Sequence, residues 1–263
     1  MRVKLLISYD GADFVGWQRQ PKGRSVQGEI ERALARLLGG MVSVQGAGRT
    51  DAGVHAMAQT ASFEAELNMP LERLSYALNN LLPLDVRVLA AGKAEDDFHA
   101  RFSPSSKEYR YFIAPGVKPS PFDARYVWHC PGRLAYDEMA LAAGTLQGEH
   151  NFRSFCAKSQ VVSSYVRTIY AAEFRLAKSE DAPEPLQFLA MRGELYMLRL
   201  LGNGFIYKMV RLIAGALVKL GEGKLSHVEF AQALAYEQPQ PPAPAAPPNG
   251  LYLWKLAYLE KDV

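Results

Sequence analysis

The ten residues Gly46-Ala47-Gly48-Arg49-Thr50-Asp51-Ala52-Gly53-Val54-His55 gather three glycines, an arginine, an aspartate and a histidine. They lie between two segments that read as strands. Glycine lets a backbone turn tightly or come close to a ligand. Arg49 and Asp51 are two residues apart, so in extended chain they project to the same side. Such a pair can form a charged site: a carboxylate able to act as a nucleophile, with a cation nearby to keep it ionised. A polar hairpin with an Asp-Ala-Gly turn has the same composition. The ten residues alone leave both readings open.

Further blocks stand at definite separations from this loop. Tyr9-Asp10-Gly11, Phe14 and Gly16-Trp17-Gln18-Arg19-Gln20 precede it. Asp97-Phe98-His99-Ala100-Arg101-Phe102, Tyr109-Arg110-Tyr111, Gly202-Asn203-Gly204-Phe205 and Met209-Val210-Arg211 follow. In this order, with Ala-Gly-Arg-Thr-Asp at the centre, the chain resembles the tRNA pseudouridine synthase A (synthase I) family from about Val3 to Tyr258.

The resemblance implies an isomerase that breaks the bond between uracil N1 and ribose, rotates the base and rejoins it through C5. It implies uridines at positions 38–40 of the tRNA anticodon stem-loop as targets, and a base taken out of its stack to be reached. Asp51 matches the catalytic aspartate. It attacks C6 of the base or C1′ of the ribose, or takes a ribose proton on a glycal route; the sequence does not choose among these. Arg49 matches an arginine of the same motif, able to bind phosphate or to fill the space of a displaced base. Arg211 is implied to form a salt bridge to Asp51. Tyr109 matches the tyrosine that stacks on the uracil, with its hydroxyl a candidate proton shuttle. Alternation puts Tyr111 on the same strand face, and the family pattern, not the spacing, selects Tyr109. His55 and His99 read as structural.

The 30 Lys and Arg residues against 27 Asp and Glu leave a formal charge of +3, which names no partner by itself. Arg19, Arg24, Arg101, Arg110, Arg167 and Lys208 stand near the motif blocks, with Trp17, Phe102, Phe205 and Tyr207 close by. Cations among aromatics suit RNA, where phosphates need charge and unstacked bases need rings. These six are the expected phosphate contacts. A non-catalytic RNA-binding protein of two ferredoxin-like halves is the rival reading. It has no use for an aspartate facing RNA.

Cys130 and Cys156 are too few for a disulfide scaffold. No Cys-x-x-Cys or His-x-x-x-His spacing suggests a metal, and Gly46-x-Gly48 lacks the helix-opening context of a nucleotide fingerprint. No cofactor and no metal are expected. No apolar run is long enough for a bilayer span, and the first residues lack signal-peptide anatomy. A cytoplasmic protein with no membrane partner is the expectation.

The elements that must position these residues follow from periodicity. Val3, Leu5, Ile7 and Tyr9 alternate as a half-buried strand. Ser25 caps a helix with Val26, Ile30, Ala33, Leu34, Leu37 and Leu38 on its apolar side, stopped by Gly39-Gly40. Strands are expected at Val42–Gln45, Thr60–Phe63 and Val86–Ala90, and a helix from Pro70 through Leu81. The order is β-α-β-β-α-β, a ferredoxin-like split unit. The second half gives strands at Tyr109–Ile113, Tyr126–His129, Val166–Phe174, Gln187–Met191, Tyr196–Leu201 and Leu251–Leu259. It gives helices at Asp137–Leu146 and Phe205–Leu220, the latter burying Phe205. Ser226 and Glu229 form a capping box for another helix. Pro239–Pro248 is a proline-rich loop, and Ala177–Pro185 an exposed hairpin or linker. The fold expected is α+β: two ferredoxin-like halves, 1–104 with the aspartate loop and 105–263, which could leave a cleft between them; the resemblance implies that the second half completes a central active-site cleft. The family resemblance adds a mostly antiparallel sheet joining the halves, and a homodimer.

Overall fold

A computed structural model describes residues 1–116, 118–157, 162–235 and 240–258. In chain order its elements are β1 (Arg2–Tyr9), α1 (Val26–Leu38), β2 (Gln45–Gly46), β3 (His55–Glu64), α2 (Leu74–Asn79), β4 (Val86–Lys93), β5 (Pro104–Pro115) and β6 (Trp128–Cys130). Then come α3 (Tyr136–Gly144), β7 (Gly148–Asn151), β8 (Val166–Leu176), α4 (Gln187–Met191), β9 (Tyr196–Gly202), α5 (Met209–Gly221), α6 (His227–Ala235) and β10 (Leu251–Tyr258). The class is α+β, and the strand pairing is mostly antiparallel. By internal contacts the chain divides into two units, Met1–Ser105 with the residues from Tyr252 on, and Ser106–Leu251.

In the first unit β1 buries Val3, Leu5, Ile7 and Tyr9, as the alternation requires. It is antiparallel to β3, with Leu5 opposite Ala61, and to β4, with Leu5 opposite Ala91. The other edge of β3 is shared. Antiparallel β2 takes Ala61 and Ser62, and parallel β10 takes His55 and Ala56. The Ser25 side chain accepts the Gly28 N–H at the start of α1, and Gly39 closes the helix at φ 76°. Val44 does not extend β2 as expected. Its N–H donates to Glu31 Oε1, and its carbonyl accepts Gln27 Nε2. Side chains of α1 thus occupy the groups a neighbouring strand would use. The helix expected from Pro70 is a 3₁₀ turn, Leu71–Arg73, running into the short α2. The Asn79 side chain at the end of α2 bonds both the N–H and the carbonyl of Val88, tying the helix to β4.

In the second unit β5 pairs antiparallel with β9, with Tyr109 opposite Leu200. β9 pairs with β8 and β8 with β7, both antiparallel, while β6 runs parallel to β5. Gln187–Met191, expected as a strand, is α4. Leu186, Leu189 and Ala190 are buried while Phe188 and Met191 face solvent, a helical stripe on one face. Strand β7 was not anticipated. Ala177–Pro185 is not an exposed linker: Ala177, Asp181 and Ala182 are buried, and Arg175 grips Asp181 at 2.6 and 2.9 Å. Helix α5 starts at Met209, and Phe205 lies before it, half-buried. The capping box forms: the Ser226 N–H donates to Glu229 Oε2, and the Glu229 N–H donates to Ser226 Oγ. The proline-rich segment forms no helix or strand through 240–247. Pro239 and Leu259 lie outside the described residues.

Candidate active site

The loop between β2 and β3 is held at nearly every residue. The Ala47 N–H donates to the Thr60 carbonyl at 2.8 Å, and Gln59 Nε2 to the Gly48 carbonyl at 2.9 Å. The Thr50 hydroxyl is 2.7 Å from the hydroxyl of buried Tyr9. Burial pushes the Tyr9 phenol well above its ordinary range, so it stays neutral as a structural hydrogen-bonding group. The Trp17 N–H donates to the Thr50 carbonyl, the Gly53 N–H to the Phe14 carbonyl, and the Val54 N–H to the Asp51 carbonyl. Asp51 is half-buried and Arg49 exposed.

The glycines that stood out in the sequence are explained by this packing. A Cβ on Gly16, whose φ is +112°, would sit 2.6 Å from the Thr50 carbonyl oxygen. One on Gly11 would sit 1.9 Å from the Val54 carbonyl oxygen, and one on Gly46 would enter the Trp17 indole at 2.4 Å. The segment Gly11–Trp17 is therefore a bed pressed against the backbone on both sides of Asp51. Arg24 holds that bed in place. Its guanidinium is bidentate to Asp85 at 2.6 and 2.8 Å, bonds Glu29 at 2.6 Å, and lies 4.3 Å over the Phe14 ring.

His55 is buried, consistent with a structural part. Its Nδ1 takes the Gly11 N–H at 3.1 Å and lies 3.2 Å from Asp10 Oδ1, and its ring stacks on Tyr252 at 4.7 Å. Thr50 and Gln59 had no role of their own in the sequence; Tyr9 read as a strand residue, Trp17 as an aromatic beside cations and Phe14 as part of a family block. The family pattern set these blocks in order with the loop, but no spacing showed that they pack against it.

In the second unit Tyr109 and Tyr111 now separate. Tyr111 is fully buried, and its hydroxyl donates to the Pro247 carbonyl at 2.7 Å. Burial holds that phenol well above its ordinary range. Tyr109 keeps 9% of its surface exposed and meets Phe205 edge-on at 5.0 Å. The Gly202-Asn203-Gly204 turn is locked to β8 by reciprocal bonds: the Thr168 N–H donates to Asn203 Oδ1, and the Asn203 N–H to the Thr168 carbonyl. This turn leads to Lys208, whose φ of 62° makes it the one non-glycine left-handed residue among those described. Met209 then opens α5, which carries Arg211, half-buried, with its Nε bonded to the Ala246 carbonyl at 2.7 Å.

The six expected phosphate contacts differ in how they are engaged. Arg24 is committed to Asp85 and Glu29. Arg110 donates to Glu108 and to the Asp181 carbonyl, with its side chain only 14% exposed. Arg19 is 70% exposed and meets Glu31 at 3.2 Å. Arg101 is exposed beside Phe102, and the Lys208 ammonium lies 5.3 Å from the Tyr207 ring centre. Arg167 donates to the Ser164 and Val166 carbonyls and is half-buried. Among the described residues no cluster of His, Cys, Asp and Glu has the makings of a metal site, and no helix is long and apolar enough to cross a membrane.

The sequence profile described as tRNA pseudouridine synthase matches residues 5–103 and 142–259. The chain belongs to the tRNA pseudouridine synthase family. Its members include a tRNA pseudouridine synthase A of Bacillus pumilus (strain SAFR-032), 43% identical over 98% of this chain and 99% of its own. That of Bacillus subtilis (strain 168) is 43% identical over the same shares. Among solved structures, the archaeal box H/ACA sRNP Nop10-Cbf5 complex is similar at a TM-score of 0.35 and 11% identity, over 82% of this chain and 43% of that one. Membership in the synthase family makes the chain an isomerase of uridine in tRNA.

Proposed function

We propose that the chain converts uridine to pseudouridine at positions 38–40 of the tRNA anticodon stem-loop, with Asp51 as the carboxylate that opens the reaction. The observation that carries this reading is the Asp51 loop. An aspartate in an ordinary polar turn needs no Gly11, Gly16 and Gly46 packed so closely that a Cβ on any of them would strike backbone or indole. A carboxylate that must meet a base within a fraction of an ångström does. In this reading Asp51 attacks C6 of the base or C1′ of the ribose, or takes a ribose proton, as the N1–C1′ bond breaks; Tyr109 stacks on the freed uracil, and its hydroxyl handles the proton lost from C5 when C5 joins C1′. Arg211 keeps Asp51 ionised, and Arg49 binds phosphate or the vacated space. The isomerisation is redox-neutral, and the proposed chemistry uses side chains of this chain alone.

Phosphate contacts fall to Arg19, Arg101, Arg167 and Lys208 more readily than to Arg24 and Arg110, whose charge the chain's own carboxylates balance. Reaching several neighbouring uridines calls for recognition of backbone and shape, which such cations serve. A homodimer and a cytoplasmic setting complete the reading. The first is supported by the family resemblance, the second by two free cysteines. The test is to incubate the pure chain with unmodified tRNA transcript and map pseudouridine. Pseudouridine at 38–40 with wild type and none with Asp51→Ala supports the reading. Binding without conversion by wild type returns the rival, a pure RNA-binding protein.

A further inference from the structure

Arg211 is bonded twice to one residue. Its Nε donates to the Ala246 carbonyl at 2.7 Å, and the Ala246 N–H donates to the Arg211 carbonyl at 2.9 Å. Ala246 lies in the proline-rich segment, which the reading so far leaves without a role. The segment is not loosely attached. Ala243 and Ala246 are buried, and the Pro247 carbonyl accepts the Tyr111 hydroxyl at 2.7 Å. A Cβ added to Gly215 would sit 2.1 Å from the Pro244 carbonyl oxygen. Residues 211 and 215 are one turn apart on the same face of α5. The segment is therefore a strap seated on the helical face that presents Arg211, and its prolines cut the freedom it would otherwise lose on being ordered.

A strap that served only to cover α5 would need the backbone bond alone. The second bond goes through a charged side chain and has direction. A guanidinium is flat, with its donors fixed in one plane. Pinning Nε to a carbonyl sets that plane, and with it the aim of both Nη groups.

We propose that the strap 240–248 is a positioning device for the Arg211 guanidinium in uridine isomerisation. Ala246 is the contact, Gly215 the seat, and the Tyr111–Pro247 bond the anchor. This rests on the reading of Arg211 as the cation that supports Asp51.

Two measurements on the full-length chain test it together. The first is hydrogen exchange of the Arg211 Nε–H, read from its arginine side-chain resonance and assigned by its loss in Arg211→Lys. The second is single-turnover pseudouridine formation on unmodified tRNA transcript, with transcript affinity measured alongside. Gly215→Ala unseats the strap. It is expected to speed Nε–H exchange and to slow turnover by about 10²-fold, the cost of a small misplacement, with affinity unchanged within about twofold. Tyr111→Phe removes only the anchor hydroxyl, and is expected to move both readouts in the same direction by about tenfold. It serves as the deciding variant if Gly215→Ala does not fold. A freed Nε–H with wild-type turnover overturns the proposal, as does lost turnover with Nε–H protection intact, which is the behaviour of a merely structural strap. A wild-type chain that forms no pseudouridine overturns the reading underneath it instead.

Discussion

The Trp17 N–H donates to the Thr50 carbonyl at 3.1 Å, so the residue before Asp51 hangs directly from the Gly-Trp block. The two motifs, separate in sequence, form one object. Gly16 has no side chain because Thr50 is there, and Gly46 has none because Trp17 is there.

Asp51→Ala is expected to lower pseudouridine formation by roughly a thousandfold or more. The side chain is short and on a loop, so stability should move by less than about 1 kcal/mol. Nucleoside analysis of reacted tRNA and a thermal melt of the variant check both halves. Appreciable turnover by the purified variant would remove Asp51 from the chemistry.

Gly16→Ala is expected to act on the loop from a distance. The backbone conformation at φ +112° is strained for any side chain, and the new Cβ meets a carbonyl that cannot swing aside. The expected loss is about 1–3 kcal/mol of stability, with a fall in turnover larger than that loss explains. Melting and single-turnover rates on the same preparation measure the two. A variant as active and stable as wild type would show that the bed is not needed.

Tyr109 is tested by two substitutions. Tyr109→Phe keeps the ring and should bind tRNA normally while turning over roughly 10²–10⁴-fold slower, the range for a lost acid–base group. Tyr109→Leu loses the ring as well, and its affinity should drop by about 1–3 kcal/mol for the missing stack. Near-normal rates from both would make Tyr109 a packing residue.

The Arg175–Asp181 pair predicts a pH dependence of stability. Hydrogen bonds from Arg175 hold the Asp181 carboxyl below its ordinary 3.8, against the opposing effect of burial. A folded value below the unfolded one stabilises the protein above 3.8, and the contribution is lost as pH falls through the lower folded value. Asp181→Asn should therefore melt earlier than wild type at neutral pH, and the gap should close in acid. A gap that stays constant into acid would assign the loss to packing.

Neutralising a true phosphate contact should weaken tRNA binding at every site alike. It should also reduce the slope of log affinity against log salt by roughly 0.7–0.9. Arg101→Gln and Lys208→Gln are expected to do so. Arg24→Gln should instead lower stability, because it leaves Asp85 and Glu29 facing each other without their cation. Filter binding at several salt concentrations, with a melt of each variant, separates the two behaviours.

Much of this was legible in the sequence where a rule is local. Ser25 and Gly39-Gly40 bound α1, the alternation of Val3 to Tyr9 made β1, and Ser226 with Glu229 capped α6. The misses came where distant groups decide. Val44 is kept out of β2 by Gln27 and Glu31. Gln187–Met191 turned helical behind a proline-led turn, with Leu186 and Leu189 buried beneath it. Ala177–Pro185 looked polar, yet Asp181 is the residue Arg175 and Arg110 gather around. At the site, Asp51 was visible from its neighbours, whereas Tyr9, Gln59 and Phe14 support it through bonds that no spacing encodes.

The shared edge of β3 has a consequence for biosynthesis. Its first residues, His55 and Ala56, pair with Tyr252 and Leu253, and His55 also stacks on Tyr252. On a translating ribosome those partners emerge on the order of ten seconds or more after β3 does. Until then the strand that leaves the aspartate loop has an open edge on that side, a template for unwanted pairing. That edge closes only once Tyr252 and Leu253 have been made, so a nascent chain stalled short of Tyr252 should carry the aspartate loop beside an unpaired strand end.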